Sequence, residues 1–385
     1  MMKHYSFKHI GIVFLLACLS FSSIAQVKKR VRDYGVEIGV LPTGKNNAIT
    51  DVSGVRVGHY TLQKGDSVHT GVTAILPSED NVFQNKVPAG FFAANGFGKM
   101  AGSTQIDELG NIETPIILTN TLNVGTAMEA LVSYTLNFPG NEKIRSVNAV
   151  VGETNDGFLN DIRGMHVQKE HVLEALQSAQ SGLVKEGNVG AGTGTVCFGY
   201  KGGVGTSSRK LPEALGGYTV GVLVQSNFGG VLKVNGAPVG EELGAYSFHK
   251  QIMENADGSV MVIIATDAPL GERNLKRLAK RSFLGMGKTG GIASNGSGDY
   301  FLAFSTHEKT RVLHDNKEKV LKKYELHNDD MSPLFMAVIE ATEEAIINSL
   351  FAAEELRGHR GTIPALPIEK VLPILKKYNA IKSHR

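Results

Sequence analysis

Short apolar runs, each broken off by glycine, asparagine or aspartate, set the terms on which this chain can fold. Residues 114–119, 147–151, 218–224, 260–265 and 300–306 are too short for helices, and their β-branched and aromatic content predicts buried strands. Residues 55–60 and 71–77 add two more strands near the start. Helical spacing marks residues 126–136, 171–179, 274–284, 334–351 and 368–378. In the 334–351 segment Phe335, Val338, Ile339, Thr342, Ala345 and Ile346 share one face. Strands in number, followed by long helices, predict an α+β chain with two sheets covered by helices. No internal repeat or long linker divides it. The 45 glycines, roughly 12% against a typical ~7%, are scattered through apolar segments, which predicts tight turns and close backbone contacts.

Residues 1–25 have the pattern of an export signal. Lys3 and Lys8 precede an apolar run over residues 10–21, and Ser23 and Ala25 set up cleavage before Gln26. The run is too short to stay in a bilayer as a helix. Residues 15–18, ending in Cys18, also resemble a lipoprotein signal, and a membrane anchor at Cys18 is the alternative. Residues 26–46, with Lys28, Lys29, Arg30 and Arg32, are expected to form an exposed arm ahead of a single domain over residues 47–385.

The chain has two cysteines, Cys18 and Cys197, so removal of the leader leaves no intramolecular disulfide to form. Cys197 reads as a small core hydrophobe. Metal binding has no support: there is no His-Glu-x-x-His, and His166 and His171 are spaced five apart. Residues 187–194 (GNVGAGTG) lack the Gly-Lys-Ser/Thr of a phosphate loop and the strand-before, helix-after context of a dinucleotide site. They are expected to pack their backbone close to the active centre. A net charge of +3 is too small to imply a nucleic-acid partner. No cofactor is expected.

Three polar stretches at strand ends are candidate sites. Ser294-Asn295-Gly296-Ser297-Gly298-Asp299 places a hydroxyl between two glycines, with a carboxylate two positions on. It suits an ordinary Asn-Gly turn and also a serine that another group must approach closely. Glu153 and Asn155 follow the strand over residues 147–151, as site residues or as a polar turn. Asn227 ends the strand over residues 218–224, where its amide could donate to an oxyanion or cap a turn. Residues 231–259 and the charged residues 308–330 read as excursions from the core. The basic residues Arg273, Lys276, Arg277, Lys280 and Arg281 read as a solvated helix face.

Taken together, Asp267-Ala268-Pro269-Leu270, Lys288-Thr289-Gly290, Asn295 to Asp299 and Ala303-Phe304-Ser305-Thr306 resemble the DmpA/BapA-type aminopeptidases. Upstream, Thr70-Gly71-Val72-Thr73, Glu153 to Gly157 and Val224 to Asn227 extend the likeness over nearly all of the mature chain. That family includes L-aminopeptidase/D-Ala-esterases and β-peptidyl aminopeptidases. The resemblance implies a four-layer αββα sandwich similar to Ntn hydrolases. It also implies a precursor that cuts itself between Gly296 and Ser297 into an α chain (26–296) and a β chain (297–385), assembling as oligomers of αβ units.

Ser297 would then be the nucleophile. Its freed α-amino group, with an unperturbed pKa of about 7.7–8.0 against ~10.4 for lysine, would serve as base. Asn227 would hold the oxyanion, and Glu153, with Asn155 beside it, would bind the substrate's free amine. Thr342 and Glu344 match the family's hydroxyl-x-Glu pair, as orienting residue and the carboxylate behind it. Asn155 stands where some relatives carry tyrosine, closer to the β-peptidyl pattern. The implied function is an exported, self-processing aminopeptidase acting on short peptides, amides or esters. A same-fold acyltransferase of the ornithine acetyltransferase type and a non-catalytic peptide-binding protein are the alternatives.

Overall fold

The computed structural model describes residues 29–246 and 258–381; the leader over residues 1–25, Cys18 and the bond before Gln26 lie outside them. A hairpin comes first, β1 (Arg56–Lys64) and β2 (Val68–Leu76). It is followed by β3 (Asn85–Gly96), β4 (Met100–Ala101), α1 (Ser103–Leu109), β5 (Asn111–Ile112), β6 (Ile116–Asn120), α2 (Val124–Leu136), β7 (Val150–Thr154) and α3 (Lys169–Gln177). The second half brings the small hairpin β8 (Val196–Cys197) and β9 (Tyr200–Lys201), then β10 (Gly203–Lys210), β11 (Thr219–Asn227), α4 (Val239–Glu242) and β12 (Ser259–Thr266). It closes with α5 (Glu272–Lys288), β13 (Gly298–Ser305), β14 (Val312–Leu313), α6 (Ser332–Phe351) and α7 (Ile368–Lys377).

One sheet runs β1-β2-β6-β7-β4, the other β10-β11-β12-β13-β3-β14 with β5 added on β3. Side chains alternate across each strand. In β13, Tyr300, Leu302 and Phe304 enter the core between the sheets with Ile75, Leu118 and Ile263. Phe301 and Ala303 point the other way, toward Leu275 and Leu278 of α5 and Val338 and Ile346 of α6. On the far side Val72, Ile117 and Val151 pack against Leu131 of α2 and Val172 of α3. The layers are therefore helix, sheet, sheet, helix, the expected four-layer sandwich. Each fully buried side chain of this kind contributes about 1.5–3 kcal/mol.

Several expectations need correction. The strand expected over residues 147–151 runs instead over Val150–Thr154. Its parallel ladder to β6 pairs Thr119 with Glu153 and Asn120 with Thr154, carrying the polar end into the sheet. β3 was not among the expected strands, and it carries Pro88, Gly90 and Gly96, residue types unfavourable inside a strand. The β13 ladder begins at Ala89, just past the proline. At Gly90 the helix α5 comes so close that a Cβ would overlap the Lys276 main-chain nitrogen.

The arm over residues 26–46 is not simply exposed either. Val31, Val36 and Ile38 are fully buried in the outer core, and Arg30 is tied to Glu186 at 2.5 Å. Part of the expected excursion after residue 231 is core as well, through Leu232, Val234 and Val239. Cys197 sits in a two-residue strand, yet it is buried, and burial pushes its thiol up to about 12.

Candidate active site

Ser297 immediately precedes β13, and the sheet register explains its surroundings. Asn227 of β11 faces Ser259 of β12, Ser259 faces Gly298, and Gly298 faces Gly96 of β3. One row across the end of the sheet thus brings Asn227, Ser259 and Gly96 beside the serine. Ser297 is fully buried, and its N–H donates to the Ser294 carbonyl at 2.9 Å, closing the turn. Its own carbonyl accepts from the Phe97 N–H at 3.2 Å and from the Asn95 amide. Asn95 also holds the Ser294 carbonyl at 2.9 Å, so the loop is pinned from β3. The turn reading and the reactive-serine reading describe the same loop. Ala293 enters it at φ 47, a left-handed conformation uncommon for a residue with a Cβ.

The Ser297 hydroxyl donates to Asp299 Oδ1 at 2.6 Å. Residues i and i+2 of a strand share a face, which brings the two side chains together. Burial raises the Asp299 carboxyl to about 6, against the opposing pull of the Ser297 hydrogen bond. Its Oδ2 finds no hydrogen-bond partner among the described residues. A carboxylate that reluctant to ionise, in contact with a hydroxyl, is equipped to take a proton from it.

The amide of Asn227 is oriented by its neighbours. The Val196 N–H donates to Oδ1 at 2.9 Å, leaving Nδ2 to donate to Ser259 Oγ at 3.1 Å. Val196 follows the glycine loop over residues 187–194. That loop packs its backbone against the sheets through Gly190 N–H to Thr61 and Ala191 N–H to Thr73, at 2.8 and 3.1 Å.

A cleft of about 340 Å³ opens beside this row, lined by Gly96, Phe97, Gly98, Lys99, Thr121, Glu153, Asn155, Gly258, Ser259 and Gly296. Gly296 forms part of its wall, and Ser297 is not among its lining residues. Glu153 is buried at the end of β7. Its Oε1 accepts from the Lys99 N–H at 3.1 Å, and its Oε2 accepts from the Thr121 hydroxyl. Asn155 donates its N–H to Ser259 Oγ at 3.3 Å, joining the two sheets across the cleft.

Of the residues singled out from sequence, the structure therefore brings Ser297, Gly296, Asn227, Glu153 and Asn155 together. It places Thr342 and Glu344 in other company. Thr342 donates to the Val338 carbonyl and meets Ser282 Oγ of α5, both at 2.7 Å. Glu344 is clasped by Arg32 at 2.6 and 2.7 Å, by Arg209 at 2.7 Å and by Asn47 at 2.5 Å. Burial pushes its carboxyl up, but Arg32 and Arg209 outweigh it and hold it below the ordinary value. Neither residue lines the cleft or has a described hydrogen bond to Ser297. The i, i+2 spacing on α6 separates their faces, because helical neighbours lie three or four apart.

Asp299, Lys99, Thr121, Asn95 and Ser259 join the site without having been assigned roles from sequence. Only Asp299 carried a local signal, its position two residues past a serine at a strand mouth. The others come from strand ends that adjoin only through tertiary pairing.

Residues 47–363 match peptidase family S58. The chain is 45% identical over 377 residues to the β-peptidyl aminopeptidase BapA of Sphingosinicella microcystinivorans, covering 91% of this chain and 93% of that protein. The PH0078 protein of Pyrococcus horikoshii OT3 superposes with a TM-score of 0.84 at 48% identity, over 91% of this chain and 99% of the other. The L-aminopeptidase D-Ala-esterase/amidase of Ochrobactrum anthropi, described as a variant of the Ntn hydrolase fold, also gives 0.84, at 35% identity over 92% and 99%.

Proposed function

Because the chain belongs to peptidase family S58, we propose that it is an exported aminopeptidase that matures by cutting itself before Ser297 and then removes N-terminal residues from short peptides or amides. The observation that carries this reading is the Ser297–Asp299 contact at 2.6 Å, set directly behind Gly296 in the cleft wall.

In the precursor, Asp299 takes the hydroxyl proton as Ser297 Oγ attacks the Gly296 carbonyl carbon. The peptide nitrogen leaves and takes that proton, so the Gly296 acyl group passes from nitrogen to oxygen. Water then hydrolyses the ester, giving a Gly296 carboxylate and a β chain that begins with Ser297. Freed of its acyl group, the Ser297 amine serves as the base near neutral pH.

Glu153 receives the ammonium of the incoming substrate, an assignment supported by its burial and its place in the cleft. Ser297 Oγ attacks the first carbonyl, and the Asn227 Nδ2 donates to the oxyanion, a contact of a kind worth about 10²–10³ in rate. The leaving amine departs with a proton, and water then releases the first amino acid from the acyl-serine. Substrates with L-, D-alanyl or β-amino first residues all fall within this reading, as does assembly of αβ units into oligomers. The pattern of residues 1–25 supports export.

Intact-mass measurement of the purified protein tests the proposal. Wild type should give two fragments with the second starting at Ser297, and Ser297→Ala a single chain without amidase activity. A single wild-type chain active on alanyl amides would overturn the self-processing step, and an inactive one the whole reading.

A further inference from the structure

We infer that Lys99 is a resident counter-ion for Glu153, which the substrate's ammonium must displace, and that this exchange sets substrate affinity. The inference rests on the assignment of Glu153 as the ammonium-binding carboxylate.

Glu153 is 3% exposed, and a buried carboxylate is costly unless it is paired and hydrogen-bonded. Thr121 and the Lys99 N–H provide neutral donors. The charge on the pairing side comes from Lys99 Nζ, 3.4 Å from Oε1. That separation is long beside the ~2.7–2.9 Å of a close ammonium–carboxylate bond. The Lys99 side chain is also 53% exposed, with its ammonium reaching in from the cleft side. A loosely seated, half-solvated ion pair of this kind is worth about 0.2–1 kcal/mol. It is enough to hold the carboxylate ready when the cleft is empty and weak enough to yield to a ligand.

The main-chain N–H of Lys99 stays on Oε1 whichever cation is bound, so the exchange does not require the strand ends to move. Gly98 allows this approach: a Cβ there would stand 3.2 Å from Glu153 Oε1. Once displaced, the lysine ammonium remains at the cleft wall, where Lys99 is a lining residue. It then repels a second cation, so first residues with cationic side chains are disfavoured relative to neutral ones.

The test compares wild type, Lys99→Met, Lys99→Arg and Glu153→Gln, each confirmed as two chains, on β-alanyl, L-alanyl and lysyl amides at pH 8. Lys99→Met should lower KM for the alanyl substrates by about 1.4- to five-fold, the range set by the ion pair it removes, with the change in KM rather than kcat. The gain should be larger for the lysyl amide, and Lys99→Arg should restore the wild-type KM. An unchanged or raised KM in Lys99→Met, with Glu153→Gln still raising KM strongly, overturns the counter-ion inference alone. If Glu153→Gln leaves KM unchanged, the ammonium assignment itself has failed.

Discussion

Replacing Asp299 with asparagine isolates the step on which the proposed maturation depends. The amide keeps the size of the carboxylate, and its oxygen can still accept from Ser297 Oγ, but it cannot take the proton. Loss of a positioned base costs about 10²–10⁴ in rate, so the Asp299→Asn precursor should persist about that many times longer than the wild-type one. The pH dependence follows from burial, which raises the carboxyl to about 6. Only the ionised form accepts a proton. About one-tenth is ionised at pH 5 and nearly all at pH 7.5, so wild-type cutting should speed up about tenfold across that interval and level off above it.

The same shift has a cost in stability. The folded carboxyl holds its proton to higher pH than the unfolded one, so stability is greatest below the ordinary value of 3.8 and is lost as pH rises through about 6. The shift corresponds to about 3 kcal/mol. In the uncut Ser297→Ala background, Asp299→Asn should therefore raise the melting temperature at pH 7.5 and change it little at pH 4. Gel time courses of freshly refolded precursor, with thermal melts of the uncut pair, measure both effects. Cutting of Asp299→Asn at the wild-type rate would refute the assignment of this carboxylate as base.

Glu344→Ala should act on stability, since it removes one of the two carboxylates paired with the fully buried Arg209 and leaves Glu340 as the other, a loss below the about 3–5 kcal/mol of breaking a buried pair outright. A thermal melt should fall by several degrees; an unchanged melt with lost turnover would return Glu344 to the chemistry. Gly205→Ala would push a Cβ into the Ala345 carbonyl, where β10 meets α6. Overpacking of about 1–3 kcal/mol should lower the urea midpoint, and equal midpoints would show that the seam can relax.

The layers were legible because the middles of β6, β11, β12 and β13 are apolar on both faces, a signal that survives without alignment. The nucleophile and its glycines were legible for a similar local reason: loop, serine and carboxylate lie within six residues of one another. β3 was not legible. Its Pro88 and Gly90 argue against a strand, and they are tolerated because the ladder to β13 starts past the proline and α5 lies against the glycine. Lys99 and Ser259 were invisible for the opposite reason, having no distinctive neighbours in sequence and acquiring their place only when strand ends from two sheets meet.

Glu344 has other partners than the family's hydroxyl-x-Glu pair implies. A hydroxyl and a carboxylate two apart on a helix can match a pattern and still face different partners. Here the carboxylate answers to Arg32, Asn47 and Arg209. Under the proposed cut, those three residues belong to the α chain and Glu340 and Glu344 to the β chain. Glu340 accepts from the main-chain N–H groups of Val40 and Leu41 at 2.9 and 3.1 Å and from Arg209 at 3.0 Å. The arm expected to be exposed is thus largely buried against α6, and under the proposed cut it would clasp the two products together. Its position would keep the row of Asn227, Ser259 and Ser297 in register after the proposed cut.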